Sequence, residues 1–139
     1  MVYIDLNGLK QINDEQGHEA GGSFIRRAAQ QIVAVFPERT YRIGGDEFVV
    51  IYPDILQQQF EFLINQLRLN ARQHHVSISC GSVWRTECMA LDEMLKEADE
   101  KMYEDQKRNF MKKREHDRRR DIRRREYMER TGYPDHRTQ

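Results

Sequence analysis

The run Arg42, Ile43, Gly44, Gly45, Asp46, Glu47, Phe48 constrains the fold more than any other stretch, because two glycines and two carboxylates interrupt segments that favour extended structure. Thr40 to Ile43 leads in. Phe48, Val49, Val50, Ile51 and Tyr52 lead out as a β-branched and aromatic run ending at Pro53, so the pattern predicts a hairpin. Gly44 and Gly45 lack a Cβ and are expected to take the positive φ of a tight turn and to let a phosphate approach the backbone. Asp46 and Glu47 then stand at the tip. Acidic turns are ordinarily just solvated, but Asp5 adds a second acidic position: it ends the apolar run Met1 to Ile4 and is followed by Asn7, Gly8 and Lys10. Together these strand ends suggest Mg²⁺, since a hard cation on a nucleotide takes one or two protein carboxylates and leaves its other positions to phosphate and water.

With 139 residues and 38% apolar content the chain is long enough for one domain with a modest core. No segment approaches the roughly 20 apolar residues of a membrane span, and the start lacks the basic and apolar signal pattern, so a cytoplasmic location is the default expectation. Cys80 lies in an apolar strand and Cys88 in a loop, which gives neither a disulfide framework nor metal spacing. Both are expected to be reduced. The zero net charge conceals a division: residues 1–106 carry 10 Lys or Arg against 17 Asp or Glu, whereas 107–130 carry 12 against 5. A basic block of that kind can meet nucleic acid, anionic lipid or the acidic body. Interleaved acids and sparse apolar residues (Ile122, Tyr127, Met128) instead favour an exposed helical or disordered tail, and no nucleic-acid function is assigned.

Periodicity places a strand at 2–5, a short turn or helix at 8–15, and an amphipathic helix from Glu19 to Phe36, where Phe24, Ile25, Ala28, Ala29, Ile32, Val33 and Phe36 recur before Pro37. After the hairpin, Leu56, Phe60, Leu63, Ile64 and Leu67 mark a helix. Val76 to Trp84 reads as a strand, and a last helix starts near Leu91 with Met94, Leu95, Ala98 and Met102 as its buried stripe. The order predicts an α+β fold, a mostly antiparallel sheet with flanking helices. Residues 1–109 form the expected domain and 110–139 the basic tail.

Several spaced blocks together resemble the GGDEF domain, the catalytic module of bacterial diguanylate cyclases. They are Asp5 to Lys10; Ile12, Asn13, Asp14 with Gly17 and His18; Arg42 to Phe48; Ser79 to Gly81; and Ala98, Asp99 with Met102 and Tyr103. The resemblance covers roughly the first 110 residues and implies a palm-like sheet related to nucleotidyl cyclases. A helix before the first strand and a short strand after the last helix, usual in the family, have no counterpart, so the fold is expected to be incomplete at its N-terminus unless another segment covers that sheet face.

The resemblance also implies roles. Asp5, the Leu6 carbonyl and Asp46 would hold Mg²⁺, with Mn²⁺ as an alternative, and Glu47 would either share a second metal or help deprotonate the attacking hydroxyl. Lys10 would meet the β and γ phosphates, Gly44 and Gly45 the phosphate backbone, and Asn13 and His18 the guanine side of GTP. On their own these residues also have bland readings: a surface lysine, a helix-capping asparagine, a loop histidine. The implied reaction condenses two GTP into cyclic di-GMP with release of pyrophosphate, and it needs a homodimer.

Three departures qualify that expectation. Gly22 stands where the family has a guanine-binding aspartate. Gln106 stands where it has a phosphate-binding lysine, with Lys107 as a candidate replacement one position on, and Val35 and Glu38 occupy the places of the product-inhibition Arg and Asp. A GTP-binding module without turnover is therefore the alternative to an active cyclase. A protein-interaction domain using the basic tail is a third reading.

Overall fold

Antiparallel pairing through β1 (Val2–Leu6) organises the chain, of which the computed structural model describes residues 1–132. After β1 come α1 (Leu9–Gln16), α2 (His18–Val35), β2 (Thr40–Arg42), β3 (Glu47–Val50), α3 (Gln57–Gln73), β4 (Ile78–Ser82) and α4 (Leu91–Thr131). The strands form one sheet in the order β2-β3-β1-β4, with every pair antiparallel. The α+β architecture expected from the residue pattern is the one observed.

Strand alternation sorts the side chains onto two faces. Val2, Ile4 and Leu6 of β1, with Phe48 and Val50 of β3, point to the face covered by α2 and α3, where they meet Phe24, Ile32, Phe36, Phe60 and Leu67. Phe36 and Phe60 are 0% and 1% exposed, and burying each stabilises the fold by roughly 1.5–3 kcal/mol. On the opposite face Tyr3 and Val49 pack with Val83 against Ala98 and Met102 of α4, with Met94 and Leu95 alongside. α4 thus covers part of the face expected to be bare, while Tyr41 and Ile43 stay 53% and 50% exposed.

The close fit of α4 depends on Gly81. A Cβ there would overlap the Ala98 carbonyl oxygen and the Met102 nitrogen, both backbone atoms that cannot swing aside. One turn further on, the buried Asp105 carboxylate accepts hydrogen bonds from the Cys80 backbone N–H (2.9 Å) and Arg68 Nη1 (3.0 Å). Because β4 is an edge strand, Asp105 satisfies an edge N–H that would otherwise be open to another strand.

Contacts divide the chain into two units, Met1–Gln106 and Lys107–Gln139, and α4 contributes to both. In the second unit the expected tail is helical as far as Thr131, with a positive-φ Gly132 whose N–H bonds the Met128 carbonyl. The remainder of the tail expectation, residues 133–139, lies outside the described residues. Among the described residues no helix is long and apolar enough to cross a membrane. Cys80 is buried, Cys88 is exposed, and both are free thiols.

Candidate metal and nucleotide site

Register brings the acidic residues together. In the sheet Asp5 sits opposite Glu47 of β3 on one side and Ser79 of β4 on the other, and the Leu6 N–H donates to the Asp46 carbonyl at 2.9 Å. Glu47 therefore belongs to β3, and Asp46 alone of the two stands in the turn.

The turn itself differs from its expected form. Neither Gly44 nor Gly45 has positive φ; in the first unit the positive-φ glycines are Gly8 and Gly17, which begin α1 and separate it from α2. With four residues, 43–46, between the paired strands, the loop closes without the left-handed pair of a two-residue turn. Gly44 lies against Glu47: a Cβ there would stand 2.9 Å from Oε2, the mobile end of that side chain. Beyond its chain neighbours, no atom lies within 4 Å of where a Gly45 Cβ would stand, so the space on that side of the loop is open. Arg42 braces the loop by donating from Nε to the Gly44 carbonyl (3.0 Å) and from Nη2 to the Gly45 carbonyl (2.9 Å).

Asp5 is the most perturbed group of the cluster. Burial first, and the neighbouring Asp46 carboxylate second, push its pKa up to about 6, with Glu47 adding to the rise and the hydrogen bond from Gln106 opposing it. Gln106 Nε2 donates to Asp5 Oδ2 at 3.1 Å, whereas Oδ1 is buried with no hydrogen-bond partner. A buried acceptor left unmatched beside two further carboxylates is what a cation-binding position offers in the cation's absence. No group of three His, Cys, Asp or Glu side chains forms a ready cage among the described residues. The donor set that fits a divalent ion is smaller: Asp5, Asp46 or Glu47, and a main-chain carbonyl, with the rest left to phosphate and water.

Tyr3 adds a group that sequence patterning gave no reason to choose. Burial and the nearby Glu47 carboxylate push its phenol up to about 12, so the ring presents an O–H beside Glu47.

The nucleotide candidates lie on α1 and at the start of α2. Lys10 is exposed in the first turn of α1, and His18 is exposed as the first residue of α2. Asn13 is no helix cap. It lies inside α1, where its carbonyl accepts from the Gly17 N–H at 2.9 Å and its side chain packs so closely on Gly21 that a Cβ there would overlap it. Gly22 lies on the adjoining turn of α2, with Arg26 Nη1 3.6 Å from where its Cβ would stand. Lys107 is the first residue of the second unit.

Residues 1–112 match the family model "Diguanylate cyclase, GGDEF domain". The diguanylate cyclase DgcS of Shewanella oneidensis is 27% identical over 111 residues, covering 75% of this chain and 38% of that protein. The probable diguanylate cyclase DgcJ of Escherichia coli is 35% identical over 108 residues, covering 73% of this chain and 22% of its own length. The chain thus spans well under half of each of these relatives. Among solved structures, the GGDEF domain of DgcB from Caulobacter crescentus, in complex with c-di-GMP, superposes with a TM-score of 0.67 at 22% identity, covering 76% of this chain and 70% of that one. The active GGEEF domain of a diguanylate cyclase from Vibrio cholerae gives 0.63 at 24% identity, covering 78% and 75%. At these identities the structural likeness is one of fold.

Proposed function

The chain belongs to the diguanylate cyclase GGDEF-domain family, and from that membership we propose that it binds GTP with Mg²⁺ and, as a two-fold pair of copies, condenses two GTP into cyclic di-GMP. The observation that carries this reading is the buried, unpartnered Asp5 Oδ1 beside the Asp46 and Glu47 carboxylates at the mouth of the glycine turn. Bound there, the divalent ion would offset negative charge on the triphosphate. Asp5 and Asp46 with the Leu6 carbonyl are the proposed ligands, and the open space beside Gly45 leaves room for the phosphates. Lys10 places a positive charge on the α1 side for the terminal phosphates, and Asn13 and His18 supply hydrogen-bonding groups for the base. Each ribose 3′-hydroxyl attacks the α-phosphorus of the other GTP, so two P–O bonds form, two pyrophosphates leave, and each hydroxyl proton passes to a base. Glu47 is the proposed acceptor. Because each copy holds one GTP, the reaction needs two copies face to face.

A second reading follows from Gly22. No carboxylate is available there to accept from the guanine N–H groups, and a site lacking one polar partner loses discrimination and affinity. On this reading the chain binds GTP and does not turn it over. Incubation of the purified chain with MgCl₂ and GTP, followed by chromatographic search for cyclic di-GMP and pyrophosphate, separates the two. Product formation supports the cyclase; saturable GTP binding without product supports the binding module; absence of both removes the nucleotide reading.

A further inference from the structure

We propose that Gln106 is a positioning residue for the metal site: its amide holds one oxygen of Asp5 so that the other is presented to a divalent cation. This rests on the reading of Asp5 as a metal ligand. The geometry is specific. Gln106 Nε2 lies 3.1 Å from Asp5 Oδ2, and Oδ1 of the same carboxylate is buried without a partner. A carboxylate that is hydrogen-bonded through one oxygen cannot rotate freely about its Cβ–Cγ bond, so the direction of the second oxygen is set before any ligand arrives. Hydrogen bonds of this kind to metal ligands tune affinity, and their loss typically costs roughly 10–100-fold in metal binding.

The surrounding packing explains why Gln106 can do this. Gly81 lets the α4 backbone lie directly on β4, which fixes the helix at Ala98 and Met102. Asp105, the residue before Gln106, is tied to the Cys80 N–H and to Arg68. The helix is therefore fixed along its length and about its axis at the point where Gln106 projects toward the end of β1. A neutral amide also suits the position. It donates to Asp5 without bringing a positive charge to the place where a cation would bind, which a lysine in hydrogen-bonding contact with Asp5 would do.

Gln106→Leu and Gln106→Met remove the donor while keeping a side chain of similar bulk. Mn²⁺ binding, read directly from the electron paramagnetic resonance signal of the free ion, is measured for the parent chain and both variants, with thermal melting as the check on folding. About tenfold weaker Mn²⁺ binding in both variants, with melting temperatures close to the parent's, is the expected result. Parent-like Mn²⁺ affinity in a folded variant overturns the role of Gln106 and leaves the metal reading intact. If the parent chain itself shows no Mn²⁺ binding, the metal reading falls and the positioning role falls with it. Should both variants melt far below the parent, Gln106 is a structural residue and the inference is likewise overturned.

Discussion

Asp5 is held in a place that does not suit its charge. Its pKa lies near 3.8 in the free residue and about 6 in the fold, so the folded chain binds more protons between those values and loses stability as pH rises through that window. Above about pH 6 the penalty is complete. Asp5→Asn carries no such charge, so without divalent metal it should melt about 4 °C above the parent at pH 7, with the gap closing toward pH 4, as differential scanning fluorimetry across pH would show. A gap independent of pH would contradict the assignment. Asp46→Ala and Glu47→Ala should each lower any cyclase rate by about 100-fold or more while leaving far-UV circular dichroism unchanged, because both side chains stand at the sheet's end and outside the core. Full activity in either variant would remove the carboxylates from the chemistry. At this scale the sequence misjudged one conformation. Gly44 and Gly45 pointed to a left-handed turn, yet neither has positive φ, and Gly44 instead lies against the Glu47 side chain, a contact that depends on the strand register.

α4 shows how an element can be readable in outline and opaque in detail. Its buried stripe of Met94, Leu95, Ala98 and Met102 follows from helical spacing, and the structure buries those residues against Tyr3 and Val49. What spacing could not give is the partner of Gly81, since a glycine in a strand is equally a bulge, a bend or a close approach. The structure makes it a close approach to backbone. Gly81→Val should therefore destabilise the chain by about 3 kcal/mol, because neither backbone atom it meets can move without shifting α4; urea denaturation measures this, and a loss below about 0.5 kcal/mol would show that the helix slides freely. Gln106 looked like the loss of a cation when read along the helix, and only the packing of α4 on β4 brought it to Asp5. The hairpin was more fully legible. Its β-branched and aromatic arms fix β2 and β3, although β3 begins at Glu47 and so places that carboxylate in register with Asp5.

For the molecule as a whole, the proposed activity has two consequences that depend on more than one site. Two copies must meet, so specific activity should rise with protein concentration until the pair is formed; a flat profile from nanomolar to micromolar chain would contradict a transient dimer. Feedback through the family's product-inhibition site should be absent, because Val35 packs against the core and Glu38 follows Pro37 in a left-handed conformation, leaving no Arg and Asp pair. Initial rates should be unchanged by added cyclic di-GMP, and clear non-competitive inhibition would refute this. The sequence by itself determined the fold class, the order of the elements, the family and the acidic turn, because these depend on periodicity and on residue types at fixed spacing. Only the tertiary structure decided that Asp5 and Glu47 face each other, that one Asp5 oxygen is held by Gln106 while the other has no partner, and that α4 takes over part of the second sheet face. Each of those is a contact between residues far apart in the chain, fixed by strand register and helix packing, which local sequence does not encode.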